Sequence, residues 1–115
     1  IAAEYATSRL ATAMRCIDLG DWPVILVCHA TTGRRWFKRS DTVPDKWFPR
    51  AELDPSSSAF PVLFGDVDRT APRSISAGAW FDRFEANDYR ITEQSVKAHG
   101  GEILTLLTLD DRMMR

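Results

Sequence analysis

The spacing of apolar residues changes from helical to strand-like near residue 22. Between positions 8 and 19, apolar residues recur at intervals of three and four, which predicts an amphipathic helix that begins after Ser8 and stops at Gly20. Its apolar face consists of Leu10, Ala13, Met14 and Ile17. Its opposite face carries Arg9, Thr12 and Arg15. Residues 1–5 resemble the end of a preceding helix, with a turn at 6–7.

Two β-hairpins are predicted in the remainder of the chain. An apolar run at 24–28 and a basic run at 34–39 flank a turn, which predicts a hairpin over 24–39. The sequence His99-Gly100-Gly101 joins the two strands of a second hairpin over 89–109. Residues 103–109 are apolar at both alternating sets of positions, which is typical of a central strand that is covered on both faces.

The middle of the chain has weaker signals. Residues 40–70 are rich in Pro, Asp and Ser, which predicts loops. Asp54 followed by proline predicts a short helix from residue 55 towards residue 64, kinked or ended by Pro61. Alternating apolar residues predict a further strand over 74–81. Together these elements predict an α+β fold in which an N-terminal helix packs on a mainly antiparallel sheet.

Length and composition indicate one compact domain with two parts. The 115 residues suffice for a single core, formed by a segment 1–21 and an α+β region 22–115. No apolar run approaches the ~20 residues of a membrane span, so no membrane association is expected. Two cysteines, Cys16 and Cys28, are too few for a secreted disulfide framework, and a reducing cytoplasm is the expected location.

The sequence carries no catalytic or metal-binding motif. The residues His29, His99, Cys16 and Cys28 have no paired-ligand spacing, and neighbouring Cys28 and His29 would point to opposite faces of a strand. No phosphate-binding glycine loop is present. We therefore expect no catalytic residue, no metal and no cofactor. The carboxylates Glu85, Asp88 and Glu93 are expected on a solvated face.

The basic residues are the one group in the sequence whose arrangement suggests a specific function. A helix with its cations outward, followed by a basic hairpin, is how a winged helix-turn-helix meets DNA, with the helix in the major groove and the hairpin on phosphates. The candidate DNA or anion contacts are Arg9, Thr12, Arg15, Arg34, Arg35, Lys38 and Arg39. Alternatively these cations are solvated while Trp36 and Phe37 pack. The net charge of −1 argues against DNA binding.

Five phrases in order carry a family resemblance. They are I-A-A-E-Y-A-T-S-R-L-A-T-A-M-R-C-I-D-L-G, P-V-I-L-V-C, G-R-R-W-F-K-R-S, W-F-D and G-G-E-I-L-T-L-L-T-L. Together they resemble the region C-terminal to the zinc-peptidase domain in ImmA/IrrE-family metallopeptidase-like proteins. The family's H-E-x-x-H motif is absent from this chain, so no catalytic residue is carried over.

The resemblance implies a non-catalytic regulatory domain of a bacterial stress-response protein. Segment 1–21 would be a helix-turn-helix remnant, and the rest a region that is GAF-like in fold and senses a ligand or partner. Its partner would be another protein or its own peptidase domain; a DNA-binding module and a purely structural interaction domain remain the alternatives. A pocket lined by Trp80, Phe81 and Tyr89 would favour sensing, and a core filled by them a structural role. Ile1 lies in mid-helix pattern, so we expect N-terminal helices to pair in a homodimer.

Overall fold

A computed structural model describes residues 23–114 of the chain. The predicted helix over 8–19, the helix-turn-helix-like segment 1–21 and the N-terminal dimer contact lie outside these residues. The same holds for three of the candidate DNA contacts and for one cysteine. These are Arg9, Thr12, Arg15 and Cys16.

The described residues form an α+β domain around a five-stranded sheet in the order β2-β1-β5-β4-β3. Every neighbouring pair of strands is antiparallel, as the sequence predicted. The strands are β1 (Val24–Ala30), β2 (Gly33–Arg39), β3 (Arg73–Ser76), β4 (Arg90–Lys97) and β5 (Ile103–Thr108). One short helix, α1 (Ala59–Phe64), and three 3-10 turns, Ala77–Ala79, Phe84–Asp88 and Asp111–Met114, complete the described elements.

Strand β5 lies at the centre of the sheet, as its two apolar faces predicted. It pairs with β1 on one side and with β4 on the other. Leu107 is fully buried in the main core, whereas Leu106 packs, partly buried, against residues of the opposite face. Neighbouring side chains of β5 therefore contribute to two separate apolar clusters.

Both predicted hairpins are present, and their glycines explain the turns. Gly100 and Gly101 have φ angles of 72° and 75°, the left-handed conformation that a tight two-residue hairpin turn requires. In the first hairpin, His29 pairs with Arg34 but Cys28 pairs with Trp36, so Arg35 is the extra residue of a β-bulge.

The middle of the chain departs from the sequence prediction in two places. Helix α1 begins at Ala59 and not at residue 55, because Asp54 accepts hydrogen bonds from the amide and hydroxyl of Ser56 in a local turn. Pro61 lies within the first turn of α1, where its missing N–H costs no helical hydrogen bond. The strand predicted over 74–81 ends at Ser76, whose side chain instead accepts from the amide of Gly78 in the following 3-10 turn.

The sheet has one face in the main core and a second face with a smaller apolar cluster. On the core face, strand residues such as Ile25 and Leu107 pack beneath the segment that connects β2 to β4. That segment contributes Val43, Trp47, Val62, Trp80 and Phe81, all buried. The second face is formed by Val24, Leu26, Cys28 and Leu104, with Val96, Ala98 and Leu106 at its margin.

Candidate functional site

His29 is a buried histidine with one unsatisfied ring nitrogen. It lies in β1 on the core face, 1% exposed, with its ring edge-on to Trp80 at 5.8 Å between centroids. Its Nε2 is 3.3 Å from the carbonyl oxygen of Arg50. Because a carbonyl only accepts, Nε2 must carry the proton and donate, which leaves Nδ1 as a bare acceptor. No described residue donates to this Nδ1.

Burial keeps this imidazole neutral. Desolvation is the largest effect and lowers the pKa of His29 below its ordinary value, with the positive charge of Arg34 acting in the same direction. The hydrogen bond to Arg50 opposes this shift. A neutral ring with a protonated Nε2 offers a lone pair at Nδ1 and no positive charge.

A cavity of about 250 Å³ adjoins His29 at the mouth of the first hairpin. The β1–β2 turn forms one wall, α1 forms another, and residues 51–53 lie between them. The lining residues are His29, Ala30, Thr31, Thr32, Gly33, Ala51, Glu52, Leu53, Phe60, Leu63 and Phe64. The cavity therefore combines an apolar wall with a few polar groups, which is the usual composition of small-molecule sites.

A second, wider cleft of about 500 Å³ lies on the other side of residues 49–52. It contains the cations Arg34, Lys46, Arg50 and Arg83. The guanidinium of Arg50 donates to the carbonyl of Gly78 at 2.9 Å. Lys46 and Arg83 both bind Glu85, at 3.4 and 2.7 Å. These cations are held by internal acceptors, so the cleft is a weak candidate for binding an anion.

The four hairpin cations do not form one continuous basic surface. Arg34 donates to the carbonyl of Pro49 and stacks on Phe48, with 4.6 Å from its guanidinium carbon to the ring centroid. Arg39 pairs with Asp45 at 2.9 Å. Both lie on the core-face side of β2, with register partners in His29 and Ile25.

The other two cations of β2 are placed differently. Lys38 pairs in register with Leu26, a residue of the second face, and therefore lies on that side. Arg35 occupies the bulge and pairs with Glu102 at 3.4 Å. This division between two sides of an edge strand does not give the continuous basic surface expected of a DNA-binding hairpin.

The three aromatic residues predicted to line a pocket belong to the core or pack against it. Trp80 and Phe81 are 2% and 0% exposed, and half-buried Tyr89 packs on the same cluster. None of the three lines either of the two cavities described above. This placement favours a structural role for them.

Cys28 and His29 point to opposite faces of the sheet, as predicted from their adjacency. Cys28 belongs to the apolar cluster of the second face, and its thiol is free. Within residues 23–114, no group of three or more His, Cys, Asp or Glu side chains could hold a metal ion. None of the helices in that part of the chain has the length and apolar content needed to cross a bilayer.

Glu93 is buried, contrary to the solvated position expected from the sequence. It is 0% exposed on the core face of β4, and its carboxylate accepts from Trp80, Ser58 and Arg73. The strand contained a signal for this placement, since Glu93 shares one face of β4 with the apolar residue Ile91. The sequence also contained a signal for the burial of His29, because this histidine directly follows the apolar run of β1.

Comparisons of the chain with protein-family models, with curated proteins and with solved structures find no significant match.

Proposed function

We propose that the domain binds a small organic ligand in the cavity beside His29, as a non-catalytic sensing module of a larger regulatory system. The observation that carries this proposal is Nδ1 of His29, a buried acceptor that has no hydrogen-bond partner among residues 23–114 and belongs to a residue that lines the cavity. An unsatisfied buried polar atom costs about 1–3 kcal/mol, and a ligand that donates to it would recover part of that cost.

The position of the cavity also supports this proposal. One wall is a turn between two strands and the other is a helix of six residues. A ligand that bridges the two walls would stabilise their relative position. Binding could thereby alter the surface that the domain presents to a partner, which is what a sensing module requires.

Obstruction of the cavity from its rim tests the proposal. Ala51 is exposed and lies on the wall that the His29 cavity shares with the wider cleft, so Ala51→Phe should place a ring at the rim of both without disturbing the core. Ala71→Phe is the matched control, because Ala71 is also exposed and lines neither cavity. Benzyl alcohol is a suitable neutral probe. In an NMR titration it should shift the amide resonances of residues 31–33 in wild type and Ala71→Phe, and not in Ala51→Phe.

Two substitutions of His29 separate its ring nitrogens. His29→Asn keeps an acceptor near the Nδ1 position, whereas His29→Gln can donate to Arg50 from near the Nε2 position but supplies no acceptor at Nδ1. We expect His29→Asn to retain more of the probe binding than His29→Gln. Equal binding by wild type, Ala51→Phe and both His29 variants would show that the cavity is not the site. Absence of probe binding would favour the structural interaction domain.

We further propose that residues 1–22 cover the second face of the sheet. Val24, Leu26 and Cys28 are at most 3% exposed, yet within residues 23–114 their cluster contains sheet residues and Ala98 alone. Side chains that project from a sheet are buried only when another element covers them. The apolar face of the helix predicted over 8–19 fits that role.

Two substitutions on opposite sides of the predicted helix test this assignment. Met14→Asp would place a charge on the apolar face, and Thr12→Asp would place the same charge on the polar face. Urea unfolding should show a loss of about 2–4 kcal/mol for Met14→Asp and almost none for Thr12→Asp. Equal effects would contradict the assignment. Dissociation of a dimer by Met14→Asp, seen in light scattering, would instead show that a second copy covers the face.

Membership of the ImmA/IrrE family, a cytoplasmic location and a stress-response role remain predictions from the sequence. The reading frame upstream of Ile1 tests the family directly. We expect it to encode an H-E-x-x-H helix, and its absence there would contradict the resemblance.

A further inference from the structure

We infer that the ligand of the His29 cavity is a small organic cation with N–H donors, such as a primary amine or an amidine. This inference rests on the proposed function and concerns the chemistry of the same cavity. Three features of the cavity support it: the charge of its lining residues, their hydrogen-bonding capacity and its apolar wall.

The charge lining the cavity is negative. Of its lining residues, all within the described part of the chain, only Glu52 carries a formal charge, because burial keeps His29 neutral. Glu52 is exposed, and no ion pair of its carboxylate is present among residues 23–114. Such a carboxylate favours a cation and disfavours an anion.

The nearby arginines lie outside the lining of this cavity, although the positive charge of Arg34 acts on His29 and Glu52 also lines the wider cleft that contains both arginines. The guanidinium of Arg34 donates to the carbonyl of Pro49 and lies over Phe48, and both of those residues line the wider cleft. Arg50 donates to Gly78 through Nε and Nη2. Neither arginine side chain lines the His29 cavity.

The hydrogen-bonding groups require a donor on the ligand. Nδ1 of His29 can only accept while Nε2 carries the proton, and the carboxylate of Glu52 also only accepts. Ammonium and amidinium groups carry several N–H donors and no acceptor, so they match the carboxylate of Glu52, and they can also donate to the buried Nδ1 once the side chains packed over it move. A carboxylate or phosphate ligand would leave both groups unsatisfied.

The apolar wall limits the size and nature of the ligand body. Phe60 and Phe64 of α1 lie with ring centroids 4.8 Å apart, and Leu53 and Leu63 complete this wall. Aromatic ring faces attract organic cations, which adds to the selectivity set by Glu52. The cavity of about 250 Å³ has the volume of roughly eight water molecules at ~30 Å³ each. A single ring with a short amine arm is of this size.

Three probes of similar shape and different charge test the inference. Benzylamine is a cation at neutral pH, benzyl alcohol is neutral and benzoate is an anion. NMR titrations of the full chain should give about tenfold tighter binding of benzylamine than of benzyl alcohol, and no detectable binding of benzoate. The ¹⁵N resonance of His29 Nδ1 should move towards that of a hydrogen-bonded nitrogen when benzylamine is added.

Charge removal at the cavity rim provides the matched variants. Glu52→Gln keeps the size of the side chain and should weaken benzylamine about tenfold while leaving benzyl alcohol unchanged. Asp66→Asn removes one exposed carboxylate that lines neither cavity and should leave both affinities unchanged.

The outcomes separate this inference from the proposed function. If benzyl alcohol binds in the cavity but benzylamine binds no tighter, or Glu52→Gln has no effect, the site is a ligand site and the cation assignment is wrong. Tighter binding of benzoate would overturn the assignment in the same way. If none of the probes shifts residues 31–33 or His29, both the inference and the proposed function fail.

Discussion

The indole Nε1 of Trp80 donates to one carboxylate oxygen of Glu93 at 2.9 Å, within the core of the domain. The other oxygen accepts from the amide of Ser58 at 2.8 Å and from Nε of Arg73 at 2.7 Å. Glu93 thus joins β4 to the start of α1, to β3 and to the loop that carries Trp80. These contacts hold the helix that forms one wall of the His29 cavity.

Replacement of Glu93 should destabilise the fold strongly. Glu93→Ala would leave the Trp80 indole and the Ser58 amide without acceptors and would open a cavity, and we expect a loss of about 3–5 kcal/mol in the free energy of unfolding. Urea unfolding followed by Trp fluorescence measures this loss. Asp66→Ala, at an exposed carboxylate, is the control and should change stability by less than about 0.5 kcal/mol. A similar small effect of Glu93→Ala would show that the network contributes little.

Neighbouring leucines of β5 should respond differently to truncation. Leu107 is 0% exposed in the main core, so Leu107→Ala should cost about 2–5 kcal/mol. Leu106 is only partly buried at the margin of the second face, and Leu106→Ala should cost less. Parallel urea melts of the two variants test this order, and a larger loss for Leu106→Ala would contradict the described burial.

Stability should decrease as the pH falls below the ordinary pKa of histidine. Unfolded His29 titrates near 6.5, whereas burial lowers its pKa in the folded state. Between these two values the unfolded state binds more protons, so the free energy of unfolding falls as the pH decreases through that window and levels off below it. Above the window, both states are neutral and His29 contributes no pH dependence.

Urea melts between about pH 7.5 and about pH 5 test this prediction. His29→Gln should show a shallower pH dependence than wild type, because the buried imidazole has been removed. His99→Gln, in the exposed glycine turn, is the control for the loss of an imidazole. An unchanged slope in His29→Gln would show that His29 does not resist protonation in the folded state.

Cys28 should be unreactive in the folded protein. Burial, followed by the negative charge of Glu102, raises the pKa of its thiol to about 11, and the side chain is 1% exposed. In a Cys16→Ser background, an aromatic disulfide reagent should react with Cys28 only after unfolding in urea. Rapid reaction under native conditions would show that the second face opens.

Charge reversal of two adjacent arginines should have unequal effects on stability. Solvated cations, the alternative expected from the sequence, would tolerate charge reversal with little loss of stability. The contacts of Arg34 with Pro49 and Phe48 now predict a loss of about 1–3 kcal/mol for Arg34→Glu. Arg35→Glu removes only an exposed pair with Glu102 and should cost under about 1 kcal/mol.

Fluorescence anisotropy with random duplex at low salt tests DNA binding, which the divided placement of these cations disfavours.

The local pattern of apolar residues and glycines was sufficient to predict the sheet, but it did not predict the segment between β2 and β4 that packs on the core face. The apolar runs of β1 and β5 and the glycines at 100 and 101 specify strands and turn from neighbours in sequence. Helix α1 begins later than predicted, because the Asp54 side chain bonds to Ser56 and forms a turn at the position where a helix was expected. Several competing local hydrogen bonds were available there, and the sequence does not rank them.

The candidate site was beyond prediction because it depends on distant contacts. The neutral state of His29 follows from its burial and from its contact with Arg50, 21 residues away in sequence. The sequence left open whether Trp80 lines a pocket or the core. Its placement depends on Glu93, 13 residues later, whose carboxylate accepts from the indole. Pattern identifies the face of a strand, but it does not specify which groups from other segments meet there.

The pairing of β1 with β5 has a consequence for synthesis on the ribosome. Val24 in the first described strand lies opposite Thr108 in the last, so the centre of the sheet joins residues at nearly opposite ends of the described sequence. The β1–β2 hairpin leaves the ribosome early but cannot gain its central neighbour until β5 has also emerged. During that interval the apolar strand β1 lacks its neighbour β5 and leaves apolar side chains uncovered. Nascent chains halted before residue 103 should therefore depend on chaperones more than the finished domain does.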